Sequence, residues 1–361
     1  MSEAVRTRSF QQLEPIIEPG LRIVDAHHHL WEHAAPPGGP RDVHPLQAMT
    51  EILPRYLVDE FIADIACGHA VEGTVYVQSG RGFYCADTPT HFQPVGETAY
   101  VRQAAEAARE RTRVDICAAI VGYADLTLGD AVQPVLEAHI AAGGGRFRGI
   151  RNGMAWDADQ RVMGPFAGQA GLYASDSFRK GARRLAELGL SFDAWLLEPQ
   201  LPELVQLARA LPELTIILDH FGAPLGIGAY TGSQKDRFPL WRKQIDELAA
   251  CENVVIKLGG LGMPLAGLGS FQRAVPLGSM ELAQLWSPYF RAALDAFGPA
   301  RCMFESNFPA EAGSASYRII WNVFKIMAAD LGIGEKAMLF EGTARRTYRL
   351  GAGSPHQTVT N

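Results

Sequence analysis

Cysteine is scarce in this chain. Five occur in 361 residues, at 67, 85, 117, 251 and 302, with no CxxC or CxH spacing. A thiolate zinc site or a disulfide framework is thereby excluded, and reduced thiols in a cytoplasmic protein are expected. Basic charge is short as well. The 33 Lys and Arg fall below the 39 Asp and Glu, for a net charge of −6. No excess exists to neutralise phosphates, so nucleic acid and membrane surfaces are not expected partners. No uncharged apolar run reaches the ~18 residues that span a bilayer. The opening "MSEAVRTRSFQQLEP" lacks the apolar core of a secretory signal. No GxGxxG or GxxxxGK[ST] turn follows a strand-like run, which removes the main support for dinucleotide and P-loop readings. "GGGRFRG" precedes such a run and reads as a tight turn.

What is present is an ordinary globular composition, 47% apolar and 20% charged. Short β-branched runs alternate with amphipathic stretches almost from end to end. Strands are predicted at 21–28, 73–79, 115–124, 147–152, 191–197, 215–221, 253–260 and 301–308. Helical periods lie between or after them, at 58–69, 97–111, 129–142, 175–189, 199–211, 240–251, 287–297 and 316–331. Serial βαβ units of this kind imply a parallel sheet, and eight of them fit a (β/α)8 TIM barrel. We read residues 1–361 as one α/β domain with its core at about 20–350. Glycine- and proline-rich segments at 32–48, 80–96, 222–238 and 259–286 follow strands, where barrel enzymes carry specificity.

"DAHHHLW" (25–31) ends the first strand with three of the chain's ten histidines. Alternate strand residues share a face, so Asp25, His27 and His29 are expected to point into the barrel mouth and His28 outward. Two imidazoles at i and i+2 can reach one metal ion. His220 closes the sixth strand in "LDHFG" as a ligand or acid–base group. The eighth strand ends "FESNFP", where Glu305 and Asn307 share a face. Glu305 is either a base or ligand, or a buried partner of Lys257. Asn307 stands where a carboxylate would be most useful. Arg151, ending the fourth strand, can grip a substrate carboxylate with two parallel hydrogen bonds. Tyr76 and Gln78 at the second strand end are expected to line the pocket, with Arg81 in the loop beyond. Asp193 reads as structural.

Taken together, "DAHHHLW", "GIR", "LDHFGAP", "VIKLGG", "MFESNFP" and the terminal "GTARRTYRL" resemble, in order, the motifs of the amidohydrolase superfamily. The similarity is to its branch of pyrone-dicarboxylate and sugar-acid lactonases. The resemblance implies a TIM barrel that opens a lactone or related ester of a small carboxylated compound. It places His27, His29 and His220 near the reacting carbonyl and Arg151 on a carboxylate. Some members of the branch use a divalent metal, zinc first among candidates, and others work without one. The branch's usual eighth-strand "SDWP" or "SDFP" carries an Asp as base or ligand. Here that position is Asn307, so Glu305, His220 or Asp25 is expected to take the proton, or else metal-bound hydroxide attacks directly. A fifth-strand histidine found in related decarboxylases is also absent, which disfavours a decarboxylase or hydratase acting on an aromatic-derived acid. The expected partner is a small-molecule substrate. A homo-oligomer stays open, because the apolar segment 259–271 could cover a pocket or a subunit interface.

Overall fold

The computed structural model describes residues 14–32, 43–80 and 82–351. Eight parallel strands run in chain order around a TIM barrel. They are β1 (Arg22–His28), β2 (Ala70–Val77), β3 (Asp115–Gly122), β4 (Phe147–Arg151), β5 (Ser191–Ala194), β6 (Ile216–Leu218), β7 (Val254–Leu258) and β8 (Cys302–Phe304). The seam between β8 and β1 closes beyond the end of β8. His28 bridges Phe308, the Asn307 amide donates to His27 O (2.9 Å), and the His29 amide donates to Phe308 O (2.7 Å).

The expected crossover helices are present: α1 (Val58–Ile65), α2 (Val95–Ala108), α3 (Gln133–Gly143), α4 (Asp176–Glu187), α5 (Leu201–Ala210), α6 (Gln234–Ala249), α7 (Ser279–Phe297) and α8 (Tyr317–Met327). Serine side chains cap α4 and α8, where Ser175 and Ser316 accept from backbone amides of the first turn. α6 and α7 begin one to two turns earlier than the sequence pattern suggests. Each contains a proline, Pro239 or Pro288. One lost backbone hydrogen bond does not end a helix whose neighbouring turns are packed. None of the described helices is long and apolar enough to cross a membrane.

Two apolar layers follow from strand alternation. Val24, Ala26, Val75, Val77, Ala119, Val121, Ile217, Val255 and Met303 fill the barrel, and Ala344 and Tyr348 from the closing helix plug its floor. Arg148 anchors that plug by donating to Tyr348 O (2.7 Å). The larger layer lies between strands and helices.

The first strand departs from simple alternation. Its pairing with β2 steps from Asp25↔Thr74 to His28↔Tyr76, so β1 spends one extra residue there. Such a bulge resets which face each side chain takes. Asp25 therefore does not share the inward face of His27, which corrects the sequence expectation. Its carboxylate sits in the β1–β8 seam, accepting from Ser306 N (2.8 Å), Ser306 Oγ (2.6 Å), Tyr317 OH (3.1 Å) and His27 N (3.2 Å). Burial pushes it up to about 6 against those hydrogen bonds. Asp25 thus ties the seam together away from the mouth. Asp25→Ala would leave these buried donors unanswered and lower the unfolding free energy by about 3 kcal/mol or more. Urea denaturation reads this as a lower midpoint, and an unchanged midpoint would contradict the assignment.

Candidate active site

The strand ends bring a buried cluster of ionisable groups to the mouth. His27, Asp219, His220 and Glu305 are each 3% exposed or less. Glu305 stands between two imidazoles, with Oε1 2.6 Å from His220 Nδ1 and Oε2 2.9 Å from His27 Nδ1. Burial pushes Glu305 up, but the two facing imidazoles outweigh it and keep the carboxylate ionised. Being acceptor-only, it fixes Nδ1–H on His220, whereas His27 Nδ1 also faces Lys257 Nζ, a donor, at 3.1 Å. His29 likewise donates Nδ1–H to Val77 O (2.7 Å). His29 and His220, with Nδ1 so engaged, keep Nε2 as their remaining ring nitrogen.

The Nε2 atoms of His27 and His29 are 3.2 Å apart. Two lone pairs this close repel unless a proton or a cation faces them. With His29 Nδ1–H on Val77 O and Lys257 donating to His27 Nδ1, His27 Nε2–H donates to His29 Nε2. Arg151 Nη1 lies 3.4 Å from His27 Nε2. His27 is held neutral by burial and by Lys257, and His29 by burial and by Arg151. His28 faces outward, stacked on Phe61 at 4.0 Å between ring centroids.

Asp219 and Lys257 complete the cluster. Lys257 Nζ lies 2.7 Å from Asp193 Oδ2, 3.0 Å from Asp219 Oδ1 and 3.1 Å from His27 Nδ1. Tyr348 OH adds a bond to Asp193 (2.7 Å) from the barrel floor. Burial pushes Asp219 up, but Lys257, His220 and Arg151 together hold it below the usual carboxylate range. Burial outweighs Lys257 at Asp193, which rises to about 6. Among the described residues Lys257 thus pairs with Asp193 and Asp219, and Glu305 with histidines instead.

Asp219 was not singled out from the sequence, because neighbouring strand residues should face opposite ways. Here β6 ends at Leu218 and His220 takes a left-handed φ of 56°. That turn brings both side chains of "DH" inward. One ligand atom each from His27, Asp219 and His220 lies within 4.8 Å of the others.

These residues fit a divalent cation. Each ring's other nitrogen is anchored on a carboxylate or carbonyl, the outer-shell pattern of metal-bound histidine. Neither Asp219 oxygen is closed off by an aligned hydrogen bond. Three carboxylates (Asp193, Asp219, Glu305) against two fixed cations (Lys257, Arg151) leave one negative charge to balance.

The remaining expected residues divide. Arg151 reaches the mouth, 8% exposed, anchored on Gln78 O, with its Nε lacking a partner among the described residues. Gln78 stands half-buried beside it. Tyr76 does not line the pocket. It lies on the outer face of β2, where its OH donates to Glu97 (2.6 Å), the strand period having placed Val75 and Val77 inside. Arg81 lies outside the described residues. Asn307, at φ 50° and 1% exposed, directs Nδ2 towards Glu311 (3.5 Å). Above the cluster, Leu46, Val162, Met163, Leu197, Leu225 and Leu265 form an apolar roof with Trp195, whose ring meets His220 edge-on at 5.0 Å. Leu265 comes from segment 259–271, whose Gly259 and Gly260 abut Glu305 and His220.

Catalytic-type side chains at the C-terminal ends of parallel barrel strands stand where TIM-barrel enzymes place their active sites. The amidohydrolase family model matches residues 24–350, and the chain belongs to that family. It is 32% identical to the uncharacterized protein y4mH of Sinorhizobium fredii over 91% of this chain and 99% of that one. It is 29% identical to an L-fucono-1,5-lactonase of Burkholderia multivorans over 92% and 97% of the two chains. A crystal structure of a Burkholderia multivorans amidohydrolase with bound zinc superposes with a TM-score of 0.68. The two are 27% identical over 91% of this chain and 99% of that one.

Lys257→Met would strip Asp193 and Asp219 of their shared cation and cost about 3–5 kcal/mol of stability. Chemical denaturation at neutral pH measures the loss. A midpoint matching wild type would remove Lys257 from the structural account.

Proposed function

We propose that this chain hydrolyses a lactone or related ester of a small carboxylated compound. The observation that carries the reading is the convergence of the His27, His29 and His220 ring nitrogens beside Asp219. The Arg151 guanidinium lies 3.4 Å from His27 with Nε unpartnered. The likeness to an L-fucono-1,5-lactonase and to a zinc-containing amidohydrolase supports it.

His27, Asp219 and His220, with His29 alongside, would hold a divalent ion, and zinc suits this nitrogen and oxygen set. Such an ion polarises a carbonyl and makes water a better nucleophile near neutral pH. The chain's own residues do the rest. Arg151 binds the substrate carboxylate and orients the ring, with the edge of Trp195 as an apolar wall. Glu305 locks the tautomer of His220 and holds the His27 ring from 2.9 Å. Asp219 Oδ2 accepts the proton of the attacking water, and Lys257 beside Oδ1 keeps that carboxylate ionised beforehand. The roof excludes bulk water and so strengthens each of these interactions. A decarboxylase reading has less support, because β5 and the residues between it and β6 carry no histidine, and Asp193 there is paired with Lys257.

Elemental analysis of chain purified without chelator tests the ion: about one zinc per chain is expected, and His27→Ala should lose it. Absence of metal in an active preparation would leave the histidines as polarising groups only. Asp219→Asn should lower kcat about 10²–10⁴-fold on a lactone panel followed by proton release. Glu305→Gln should weaken zinc affinity about 10–100-fold and take most of kcat with it. Near-normal turnover in Glu305→Gln, or carbon dioxide release without proton release, would reject the mechanism.

A further inference from the structure

The loop after β7 carries glycines at 259, 260 and 262, and each admits an ionisable side chain. A Cβ at Gly259 would lie 2.5 Å from Glu305 Cγ, and one at Gly260 2.5 Å from His220 Cβ. Both neighbours belong to the site. A Cβ at Gly262 would run into Glu311 Oε2. Glu311 sits in the turn Ala310–Gly313 that follows β8 and is 1% exposed. The backbone of one loop is thus shaped around three groups, of which only Glu305 and His220 have been given a role.

The surroundings of Glu311 hold no compensating charge. Its neighbours are the Asn307 amide (3.5 Å to Oε1), the backbone amides of Gly262 and Met263, and the Glu305 anion at longer range. Among the described residues it makes no ion pair, and Oε2 has no aligned hydrogen-bond partner. A buried carboxyl without a cation stays neutral. Burial and the nearby Glu305 accordingly push it up to about 8, against the hydrogen bonds from Asn307, Gly262 and Met263. Asn307 in turn holds the end of β1, since its amide donates to His27 O.

We propose that Glu311 is a positioning residue of the active site that acts through Asn307 and the 259–262 loop. It holds His27 and His220 in register, and the carboxyl lacking at 307 is supplied one helical turn later. This deepens the lactonase reading and rests on it for the catalytic part of its test.

The sign follows from which form is competent. The neutral acid is present below about pH 8 and is lost as pH rises through that value. Above it, an uncompensated anion beside Glu305 displaces the loop and Asn307. Turnover of wild type on a lactone should therefore fall through about pH 8 with kcat affected more than KM. Glu311→Gln mimics the neutral acid, so it should keep kcat within about threefold at neutral pH and lose that alkaline limb. Glu311→Ala should lose kcat about tenfold or more at every pH while its circular dichroism stays that of the folded chain. An independent arm needs no turnover. Difference infrared spectra of the full chain, taken from about pH 6 to about pH 9, should show a protonated-carboxyl stretch disappear in wild type and be missing in Glu311→Gln. Were no lactone hydrolysed, the functional reading would fall while this arm still tested Glu311. The proposal is overturned by a Glu311→Gln variant that keeps the wild-type alkaline limb or the infrared transition. A Glu311→Ala variant with wild-type kcat overturns it as well.

Discussion

The whole site depends on carrying charge in a barrel interior closed to bulk solvent. Lys257, Asp193, Asp219, Glu305 and His27 are all fully buried. Each buried ion costs several kcal/mol in lost hydration unless a partner stands at bonding distance. That requirement fixes the arrangement. Lys257 has to lie between Asp193 and Asp219, and Glu305 has to stand against the two imidazoles, because no bulk solvent is available to take their place. The small aliphatic side chains of the inner layer leave room for this cluster, and Tyr348, entering from the floor, supplies the last donor to Asp193.

The consequences travel outward to the mouth. Because Glu305 can only accept, it dictates where the proton sits on His220, and Val77 O does the same for His29. The chemistry of the mouth is set by acceptors lying beneath it. Arg151 is drawn into the same field, 3.7 Å from Asp219, and Gln78 O pins it from the neighbouring strand end. Substrate-facing and charge-balancing duties therefore fall on the same side chains. A substitution at the mouth cannot be judged without the layer below.

Much of this was legible in the sequence because β-branched runs and strand-end polar residues obey short-range rules. The eight strands lie where alternation predicts them. His27, His29, His220, Arg151 and Glu305 converge as barrel closure requires. The misreadings have local physical causes. Asp25 was assigned to the mouth because the period of two was carried through a bulge that no residue type announces. Asp219 was overlooked because only a left-handed residue after it, His220, lets two neighbours face the same way. Tyr76 reads like a pocket residue by its position at a strand end, yet its face of β2 belongs to the helix layer, where Glu97 waits for its hydroxyl. Glu311 lies in a turn, where no periodicity marks a buried side chain.

The departure at 307 then becomes intelligible as part of a pair. An Asp at that position would place a second carboxyl opposite Glu311 at about the 3.5 Å that separates the Asn307 amide from it. Neither would have a cation, since Lys257 and Arg151 are engaged by Asp193 and Asp219. Two such carboxyls cannot both ionise, and a shared proton would be needed to hold them together. Asparagine removes that conflict while keeping a donor for the Glu311 oxygen and a backbone amide for His27 O. In such a frame the residue types at 307 and 311 constrain each other. A barrel with aspartate at the first position has reason to carry a neutral residue at the second, and this chain has the opposite combination.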